Sequence, residues 1–259
     1  MNKNINIGLI GYGYWGPNVA RNIHNNPSLN LSVICDKNLE RLTKARSVFI
    51  EQTNYSPSSE ELFNDESLDA VAIATETSSH YILVKKALEA GKHVYVEKPF
   101  TDNVNQAQEL LELAISKGLV IHIDHIMIYH PVIRKLKELI DHDELGEILY
   151  IDAMRMNLGQ IKKDVSAMWD LAVHDLSIID YLPGGETPIQ VNAMGEKYYN
   201  PKESLSILTL RYSSFLATVQ SSWIFPLKER KLIIVGDKKM AVYDDVKVSE
   251  KGMIYNKGV

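Results

Sequence analysis

A glycine-rich segment near the start of the chain has the spacing that binds the pyrophosphate of a dinucleotide. Gly11, Gly13 and Gly16 form the pattern G-x-G-x-x-G, directly after an apolar run and directly before a helical segment. The first glycine permits a tight turn, the second lets a pyrophosphate approach the backbone, and the third lets the helix pack closely on the strand. Asp36 ends the second apolar run, where a carboxylate accepts hydrogen bonds from ribose hydroxyls. A carboxylate also repels a 2′-phosphate, so the pattern favours NAD over NADP, although Lys37 weakens the preference.

Two further segments carry groups that suit proton transfer. Glu97-Lys98-Pro99 follows an apolar run, which places Lys98 beyond the carboxyl end of a strand, where ligands bind in parallel sheets. Asp170 and His174 are four residues apart on a predicted helix and share one face, so the carboxylate can orient the imidazole and raise its basicity. An imidazole that titrates near neutral pH suits removal of a hydroxyl proton as a hydride departs. The alternatives are a surface lysine, a surface Asp–His pair, and glycines that only turn the chain.

The remaining cysteine and histidine residues give weaker signals. Cys35, the single cysteine, ends an apolar run and is interpreted as a small buried hydrophobe rather than a catalytic thiol. We predict no metal centre, because the histidines lack the spacing of metal ligands. His122 and His125 flank Asp124 at a strand end, which leaves a metal site there as an open alternative.

The elements that must position these residues form an α/β fold. Up to residue 122, short apolar runs alternate with amphipathic helical segments, as in an N-terminal Rossmann domain with a doubly wound parallel sheet. The runs are nearly continuous in apolar residues, which strands covered on both faces require. They span residues 5–10, 31–35, 70–74, 93–96 and 119–123. Gly91 and Gly118 fall where helices should end, and Ser58 and Glu61 have the spacing of a capping box.

The pattern changes in residues 123–259, which we predict to form a C-terminal α+β domain. Helices are expected at residues 131–140 and 166–182, with a long strand at 147–156. Short strands with tight turns follow, and Leu208 and Leu210 alternate with Thr209 and Arg211. This alternation indicates a mostly antiparallel, open-faced sheet.

Composition excludes several classes of partner. The chain of 259 residues is 45% hydrophobic and has a formal net charge of −5, which gives no electrostatic reason to expect nucleic acid or an anionic membrane as a partner. No apolar stretch approaches the ~20 residues that span a bilayer. We therefore expect a cytoplasmic protein.

Taken together, these motifs resemble the Gfo/Idh/MocA family of NAD(P)-dependent oxidoreductases over essentially the whole chain. The resemblance rests on the following segments: Gly11–Gly16, Asp36, Ala74-Thr75 through His80, Glu97-Lys98-Pro99, Tyr129-His130-Pro131, Leu145-Gly146-Glu147 and Asp170-x-x-x-His174. It implies a Rossmann domain followed by an α/β domain whose open sheet forms a homodimer or homotetramer interface.

The resemblance also implies a role for each matching residue. Lys98 would hydrogen-bond the reacting hydroxyl, His174 would be the general acid/base, and Asp170 would position the substrate or His174. The expected cofactor-binding residues are Gly11, Tyr12, Gly13, Tyr14, Trp15, Gly16, Asp36, Lys37, Thr75, Thr77, His80, Glu97 and Lys98. The expected substrate-binding residues are Tyr129, Arg155, Asn157, Asp170 and His174.

Three features depart from the family pattern. Glu76 stands where the family often has proline, and Asp124 replaces a common glycine near the domain junction. The chain ends at Val259, short of most family members, so we expect a final strand or strands and a C-terminal helix to be missing and the sheet to be incomplete.

These observations predict an NAD-dependent dehydrogenase that transfers a hydride between a sugar carbinol carbon and the nicotinamide. Asn157-Leu158-Gly159 and Trp169-Asp170-Leu171 resemble a subgroup associated with nucleotide-sugar and polysaccharide metabolism, which favours a nucleotide-sugar substrate. One alternative is an NAD-using glycosidase on the same scaffold. The other is a truncated, non-catalytic protein that binds dinucleotide.

Overall fold

The computed structural model describes residues 4–49, 53–159, 161–162 and 164–257. The chain divides into two compact units, Met1–Asp124 and His125–Val259. The division expected from the sequence, after residue 122, lies two residues earlier. None of the helices in the described ranges has the length and apolar character that crossing a bilayer requires.

The first unit is a six-stranded parallel sheet with helices between its strands. The strands are β1 (Ile5–Ile10), β2 (Leu29–Cys35), β3 (Asn54–Ser56), β4 (Ala70–Ile73), β5 (His93–Val96) and β6 (Ile121–Ile123). The helices are α1 (Gly16–Asn25), α2 (Leu39–Val48), α3 (Ser59–Asn64), α4 (Thr77–Glu89) and α5 (Val104–Lys117). The strand order is β3-β2-β1-β4-β5-β6, with every neighbouring pair parallel. The predicted doubly wound sheet is confirmed.

Both faces of this sheet are buried, as the continuous apolar runs predict. Successive side chains on a strand point to opposite faces, so Leu9 and Ile10 of β1 enter two different hydrophobic clusters. Ala72 and Ile73 of β4 divide in the same way. Strand β3 is absent from the predicted apolar runs, because its three residues include polar Asn54 and Ser56.

The helix ends in this unit test the turn predictions. Gly118 takes a left-handed conformation at φ 65° as it ends α5, and Gly91, just after α4, has φ 75°. Both conformations favour glycine, so these predicted helix ends are confirmed. The predicted capping box at α3 is wrong in its bond: Ser58 occupies the N-cap position, but its side chain makes no capping hydrogen bond. The Ser58 backbone N–H instead donates to Ser56 Oγ at 3.0 Å.

The second unit is built on a seven-stranded sheet. The strands are β7 (Ile148–Leu158), β8 (Gln190–Glu196), β9 (Leu205–Arg211), β10 (Leu216–Ser222), β11 (Ile224–Gly236), β12 (Lys239–Asp244) and β13 (Gly252–Asn256). The helices are α6 (Pro131–Asp141) and α7 (Val173–Tyr181), with a 3-10 turn at Ile126–Tyr129. The order is β13-β12-β11-β7-β10-β9-β8, and neighbouring strands are antiparallel except for the β7–β10 pair. The predicted mostly antiparallel sheet is confirmed.

One face of this sheet packs against α6 and α7, and the other is open. On β9, Leu208 and Leu210 are buried in the core with Ile133 of α6 and Ile178 of α7, whereas Ile207 is exposed. Every residue of β8 is exposed. The alternation of apolar and polar residues along 208–211 therefore matches the buried and open faces of the sheet, as predicted.

The helix predicted over residues 166–182 is not a single regular α-helix. Met168–Ala172 forms a π-helical turn, and α7 begins only at Val173. A π-helical turn widens the spacing of side chains along the helix and changes their direction. The prediction that Asp170 and His174 lie one turn apart on a regular α-helix is therefore wrong, because Asp170 belongs to the π turn and His174 to α7.

Candidate cofactor and substrate sites

The three glycines of the first loop are required for different reasons. Gly11 has φ 97°, and a Cβ there would lie 2.6 Å from the Ala74 carbonyl oxygen. A Cβ on Gly16 would lie 2.2 Å from the Gly11 carbonyl oxygen. At Gly13 a Cβ would meet only the Arg41 guanidinium, at 3.5 Å, which is ordinary contact. The protein's own backbone therefore demands glycine at Gly11 and Gly16, whereas Gly13 leaves open space over the loop.

The start of α1 suits an anion. Trp15 is the N-cap and makes no side-chain cap, and Pro17 in the first turn has no N–H to satisfy. Helix N–H groups left uncapped by side chains bind phosphate oxygens and are assisted by the helix dipole. Tyr14 is 95% exposed beside the loop, whereas the Tyr12 side chain is buried in the core. Tyr12 therefore offers the loop only its backbone.

Asp36 is fixed immediately beyond the carboxyl end of β2. Its carboxylate accepts hydrogen bonds from the Tyr12 N–H at 2.7 Å and the Asn38 N–H at 2.8 Å. It also pairs with Arg41 Nη1 at 3.4 Å. These contacts tie the glycine loop to β2 and hold the carboxylate where the ribose of a dinucleotide binds in this fold. The uncapped α1, the open space at Gly13 and the fixed carboxylate together fit NAD.

Arg41, which the sequence motifs did not single out, lies beside the predicted cofactor-binding residues. It lies in the first turn of α2, close to both Asp36 and Gly13. An arginine near the end of β2 accommodates a 2′-phosphate, so Arg41 lessens the preference for NAD that Asp36 creates. Lys37, the residue chosen for that role, is exposed. The spacing of five residues from Asp36 was the signal that could have identified Arg41.

The segment after β4 contains three of the predicted cofactor residues. Thr75 Oγ1 and Ser79 Oγ form a hydrogen bond of 2.7 Å, and Thr77 is the buried first residue of α4. His80 is only 1% exposed, and its ring nitrogens lie 2.9 Å from the Pro99 carbonyl oxygen and 3.2 Å from that of Thr75. A side chain so buried cannot line a cofactor surface, so the prediction for His80 is corrected to a positioning role. His80 holds the Thr75 segment against the segment that carries Lys98.

Lys98 lies where the sequence placed it, just beyond the carboxyl end of β5. It is half-buried, and the Lys98–Pro99 peptide bond is cis. The Glu97 N–H donates to the Ile73 carbonyl oxygen at 3.0 Å, which continues the sheet pairing to the residue before Lys98. Since all six strands are parallel, Lys98 and the glycine loop share the carboxyl-terminal edge of the sheet.

A pair of carboxyl groups accompanies Lys98. Val96 and Ile123 are register partners, so Glu97 and Asp124 are the next residues on adjacent strands, and their side chains are hydrogen-bonded. Burial raises the pKa of Glu97 to about 8, and Asp124 contributes to the shift, while Lys98 opposes it. The Glu97–Asp124 pair therefore retains a proton near neutral pH.

Asp124, noted in the sequence as a departure, is thus part of a buried polar cluster. The Tyr95 hydroxyl is hydrogen-bonded to Asp124, and burial together with this carboxylate raises the pKa of Tyr95. The Tyr95 ring stacks on His122 with centroids 5.6 Å apart. Across the described ranges, no group of three or more His, Cys, Asp or Glu residues is arranged to hold a metal ion. Burial raises the pKa of the Cys35 thiol to about 11, in agreement with a core residue.

In the second unit, Asp170 is held by two donors that its sequence motif did not indicate. Lys162 Nζ donates to Oδ1 at 2.7 Å, and the Trp223 indole N–H donates to Oδ2 at 3.3 Å. The Asp170 side chain is 10% exposed, and Trp223 is 2% exposed. The π turn thus presents a carboxylate with a fixed orientation. His174 is half-buried near the start of α7, where its carbonyl oxygen accepts from Ser177 Oγ at 2.7 Å.

The Arg155 guanidinium, expected to meet the sugar, is instead paired with a buried aspartate. Its guanidinium binds Asp175 through Nε at 2.9 Å and Nη2 at 2.8 Å, and both side chains are buried. This bidentate pair joins β7 to α7 and commits two of the three guanidinium nitrogens. We therefore correct the expectation that Arg155 meets the sugar and assign it a structural role.

The other two predicted substrate-binding residues, Asn157 and Tyr129, have side chains that are accessible to solvent. Asn157 is half-buried near the end of β7, on the same face of the strand as Arg155. Tyr129 is 49% exposed, and the Arg134 guanidinium lies 5.2 Å from its ring centroid. Both side chains are open to a ligand in the second unit.

Comparison with protein-family models matches both units. Residues 5–125 match the model described as "Oxidoreductase family, NAD-binding Rossmann fold" of GFO_IDH_MocA, and residues 133–242 match the GFO/IDH/MocA C-terminal domain. Together the two models span most of the chain.

Curated relatives are similar at the level of sequence. UDP-N-acetylglucosamine 3-dehydrogenase of Acidithiobacillus ferrooxidans is 32% identical over 73% of this chain and 57% of that protein. scyllo-Inositol 2-dehydrogenase (NAD(+)) of Bacillus subtilis is 29% identical over 76% of this chain and 57% of that protein. The chain spans about half the length of the curated relatives it matches.

Solved structures agree with the fold. The structure of UDP-N-acetylglucosamine 3-dehydrogenase GnnA from Acidithiobacillus ferrooxidans superposes with a TM-score of 0.85 at 26% identity. The match covers 98% of this chain and 80% of that one.

Proposed function

Because the chain belongs to the GFO/IDH/MocA family of NAD-binding oxidoreductases, we propose that it is an NAD-dependent dehydrogenase acting on a hydroxyl of a sugar or nucleotide sugar. The observation that supports this most directly is the shared edge of the parallel sheet. The glycine loop follows β1 and Lys98 follows β5, so both stand at its carboxyl-terminal edge. A protein that only binds a dinucleotide has no need of a lysine at that position.

The proposed reaction removes a hydride from the carbinol carbon and a proton from its hydroxyl. NAD, when bound, supplies the acceptor for the hydride. The Lys98 ammonium donates a hydrogen bond to the hydroxyl oxygen, which lowers the energy of the developing alkoxide. The imidazole of His174 accepts the hydroxyl proton, and the carbonyl product keeps the oxygen.

Asp170 contributes as a fixed carboxylate in this proposal. Its two oxygens are oriented by Lys162 and Trp223, so it can accept a hydrogen bond from the sugar or from His174 without first reorganising. Asn157 and Tyr129 are the further side chains that we assign to sugar binding.

The relatives favour a nucleotide sugar as the substrate. A relative named UDP-N-acetylglucosamine 3-dehydrogenase is similar in sequence, and a solved structure of a protein with that name is similar in fold. We propose that this chain acts on the same chemical class, a sugar joined to a nucleoside diphosphate. Inositols, named for another relative, are the neutral comparison.

The assignment is tested with purified protein, NAD and a panel of UDP-sugars and inositols, by following the absorbance of reduced nicotinamide. Lys98→Met and His174→Gln should each lower kcat by a hundredfold or more, roughly the contribution of general acid–base catalysis. Lys44→Met on α2 and His142→Gln at the end of α6 are matched controls and should keep full activity. Turnover that survives both Lys98→Met and His174→Gln would contradict the assignment.

We also propose that the chain forms a homodimer or homotetramer through the open face of its second sheet. On that face Met194 of β8 pairs with Ile207 of β9, and they are 69% and 43% exposed. Exposed apolar residues side by side on a sheet are typical of an interface. A second copy of the chain would bury them.

A further inference from the structure

The ammonium group of Lys162 is held beside the Asp170 carboxylate. Its Nζ lies 2.7 Å from Oδ1, yet the Lys162 side chain is 44% exposed while that of Asp170 is 10% exposed. An ammonium group carries three N–H donors, and a carboxylate oxygen at this distance takes one of them. The exposed fraction of Lys162 therefore presents positive charge to solvent at the edge of the substrate residues.

The position of Lys162 is fixed by its backbone. Its carbonyl oxygen accepts a hydrogen bond of 2.6 Å from Asn200 Nδ2, which follows β8. Nearby, the Ala167 N–H donates to the Glu203 carbonyl oxygen at 2.8 Å, which anchors the chain at Ala167. A lysine held by its backbone carbonyl and by the Asp170 carboxylate retains less conformational freedom than an unpaired surface lysine, and it loses less on binding a ligand.

Lys162 supplies a positive charge beside the Asp170 carboxylate, whose side chain is 10% exposed. Without that positive charge, the carboxylate would repel an anionic ligand. The other buried carboxylate of this region, Asp175, is already balanced by Arg155. Glu203 is paired with Lys197 at 3.4 Å. The positive charge of Lys162 thus favours the approach of an oxyanion beside Asp170.

Resting on the dehydrogenase function proposed above, we propose that Lys162 binds an oxyanion of the substrate and selects anionic sugars over neutral polyols. The oxyanion is either the phosphate of a sugar nucleotide or the carboxylate of a sugar acid. Asp170 holds the ammonium in place, and the remaining N–H donors of Lys162 contact the anion. Lys162 is therefore a specificity-determining residue, distinct from Lys98 and His174 in role.

The test compares wild type, Lys162→Met and Lys162→Arg with NAD and three substrates: UDP-N-acetylglucosamine, glucuronate and myo-inositol. We expect the ratio of kcat/KM for an anionic substrate to that for myo-inositol to fall tenfold or more in Lys162→Met, mainly through KM. Lys162→Arg should restore most of the ratio. The two anionic substrates distinguish phosphate from carboxylate recognition. Lys137→Met, which breaks a surface pair with Asp141, is the control for net charge.

A purely structural role predicts different results. If Lys162 only supports Asp170, Lys162→Met lowers kcat/KM equally for all three substrates, and that outcome overturns the proposal. Ionic strength gives a second measurement: the KM for the anionic substrate should rise with salt in wild type and less in Lys162→Met.

Equilibrium binding distinguishes a failure of the proposed dehydrogenase function from a failure of the inference about Lys162. Calorimetry with UDP-N-acetylglucosamine and with glucuronate, in the presence of NAD, measures affinity whether or not turnover occurs. Tenfold weaker binding of one of them to Lys162→Met supports the inference even if no substrate is oxidised. Equal affinity of both proteins, or no binding of either compound to wild type, overturns it.

Discussion

At the scale of single residues, we propose that Asp36 and Arg41 together set the preference for NAD or NADP. The Asp36 carboxylate holds the Tyr12 and Asn38 N–H groups and pairs with Arg41, so the two charges stand together where the adenosine ribose binds. Asp36 favours a free 2′-hydroxyl and Arg41 favours a 2′-phosphate. The balance between them decides the preference.

Changing Asp36 should therefore shift cofactor preference. We expect Asp36→Ser to raise the KM for NAD by roughly tenfold or more, since a hydrogen bond to a charged group is worth about 1.5–3 kcal/mol. Use of NADP should rise in the same variant because Arg41 is then unopposed. Arg41→Ala in the Asp36→Ser background should remove that gain. Steady-state KM values for both cofactors check this, and an unchanged preference in Asp36→Ser would refute it.

The carboxyl pair of Glu97 and Asp124 makes stability depend on pH. The pKa of Glu97 is raised to about 8, so the folded protein keeps a proton that the unfolded chain releases above its usual pKa of 4.5. The folded state then binds more protons than the unfolded state, and this group lowers stability as pH rises from about 4.5 towards 8. Below pH 4.5 the group has no effect, because both states are protonated.

Asp124→Asn should flatten this dependence. The asparagine removes the repelling charge and its amide can donate to the Glu97 carboxylate, so the pKa of Glu97 falls. We expect the loss of Tm between pH 5.5 and pH 8 to be smaller in the variant than in wild type by a few degrees, at roughly 2–4 °C for each kcal/mol. Asp141→Asn on α6 is the control. Parallel Tm profiles for wild type and Asp124→Asn would show that the pair does not titrate as described.

At the scale of elements, different glycines of the Gly11–Gly16 loop are needed for folding and for cofactor binding. A Cβ on Gly11 or Gly16 would lie 2.6 or 2.2 Å from a backbone oxygen, whereas a Cβ on Gly13 would face only a flexible arginine. Backbone cannot move aside as a side chain can, so the first two positions are constrained by the fold itself. We propose that Gly13 is constrained instead by the pyrophosphate of the cofactor.

Two alanine substitutions test this separation. Gly11→Ala should destabilise the protein by about 2 kcal/mol or more, through its φ of 97° and the contact with Ala74. Gly13→Ala should have a free energy of unfolding within about 0.5 kcal/mol of wild type but bind NAD at least tenfold more weakly. Urea unfolding and NAD titration measure the two effects. Equal NAD affinity in Gly13→Ala and wild type would contradict the assigned pyrophosphate site.

The π turn and the junction of β10 and β11 together orient Asp170. Trp223 lies between these strands, with its backbone N–H bonded to Ser204 and its carbonyl oxygen to Gly159. The indole is thereby aimed at Asp170 from the sheet, while the π turn brings the carboxylate from the helix side.

Trp223→Phe should weaken this orientation while filling most of the same volume. Losing one hydrogen bond to a buried carboxylate costs about 1.5–3 kcal/mol, so we expect kcat to fall by roughly tenfold or more. The KM for NAD should stay the same, because Trp223 belongs to the second unit. Trp15→Phe, in the glycine loop, is the contrasting variant and should affect NAD binding instead. A kcat equal to wild type in Trp223→Phe would remove Trp223 from the site.

At the scale of the whole molecule, we propose that the open sheet face forms the interface between copies of the chain. Ile207→Glu places a charge among exposed apolar side chains and should convert the proposed oligomer to monomer, as measured by sedimentation velocity. Val104→Glu, on α5 of the first unit and also exposed, should leave the assembly intact. An oligomer that withstands both Ile207→Glu and Met194→Glu would show that this face is not the interface.

The sequence by itself determined the features that depend on local spacing. The Gly11–Gly16 loop, Asp36 at the end of β2, Lys98 after β5 and the alternation along β9 are each set by residues close together in the chain. Backbone conformation and strand periodicity follow from such short-range patterns. The family and its parallel and antiparallel sheets were therefore predictable.

Only the tertiary structure decided which side chains meet. Arg155 and Asp175 are 20 residues apart, and Trp223 and Asp170 are 53 apart. The burial of His80 depends on Pro99, 19 residues away. Such pairs form because separate elements pack together, and no local pattern encodes their contact. A basic residue paired with an aspartate is therefore structural in the Arg155–Asp175 pair and, in our proposal, functional in the Lys162–Asp170 pair, because the first pair is buried and Lys162 is exposed.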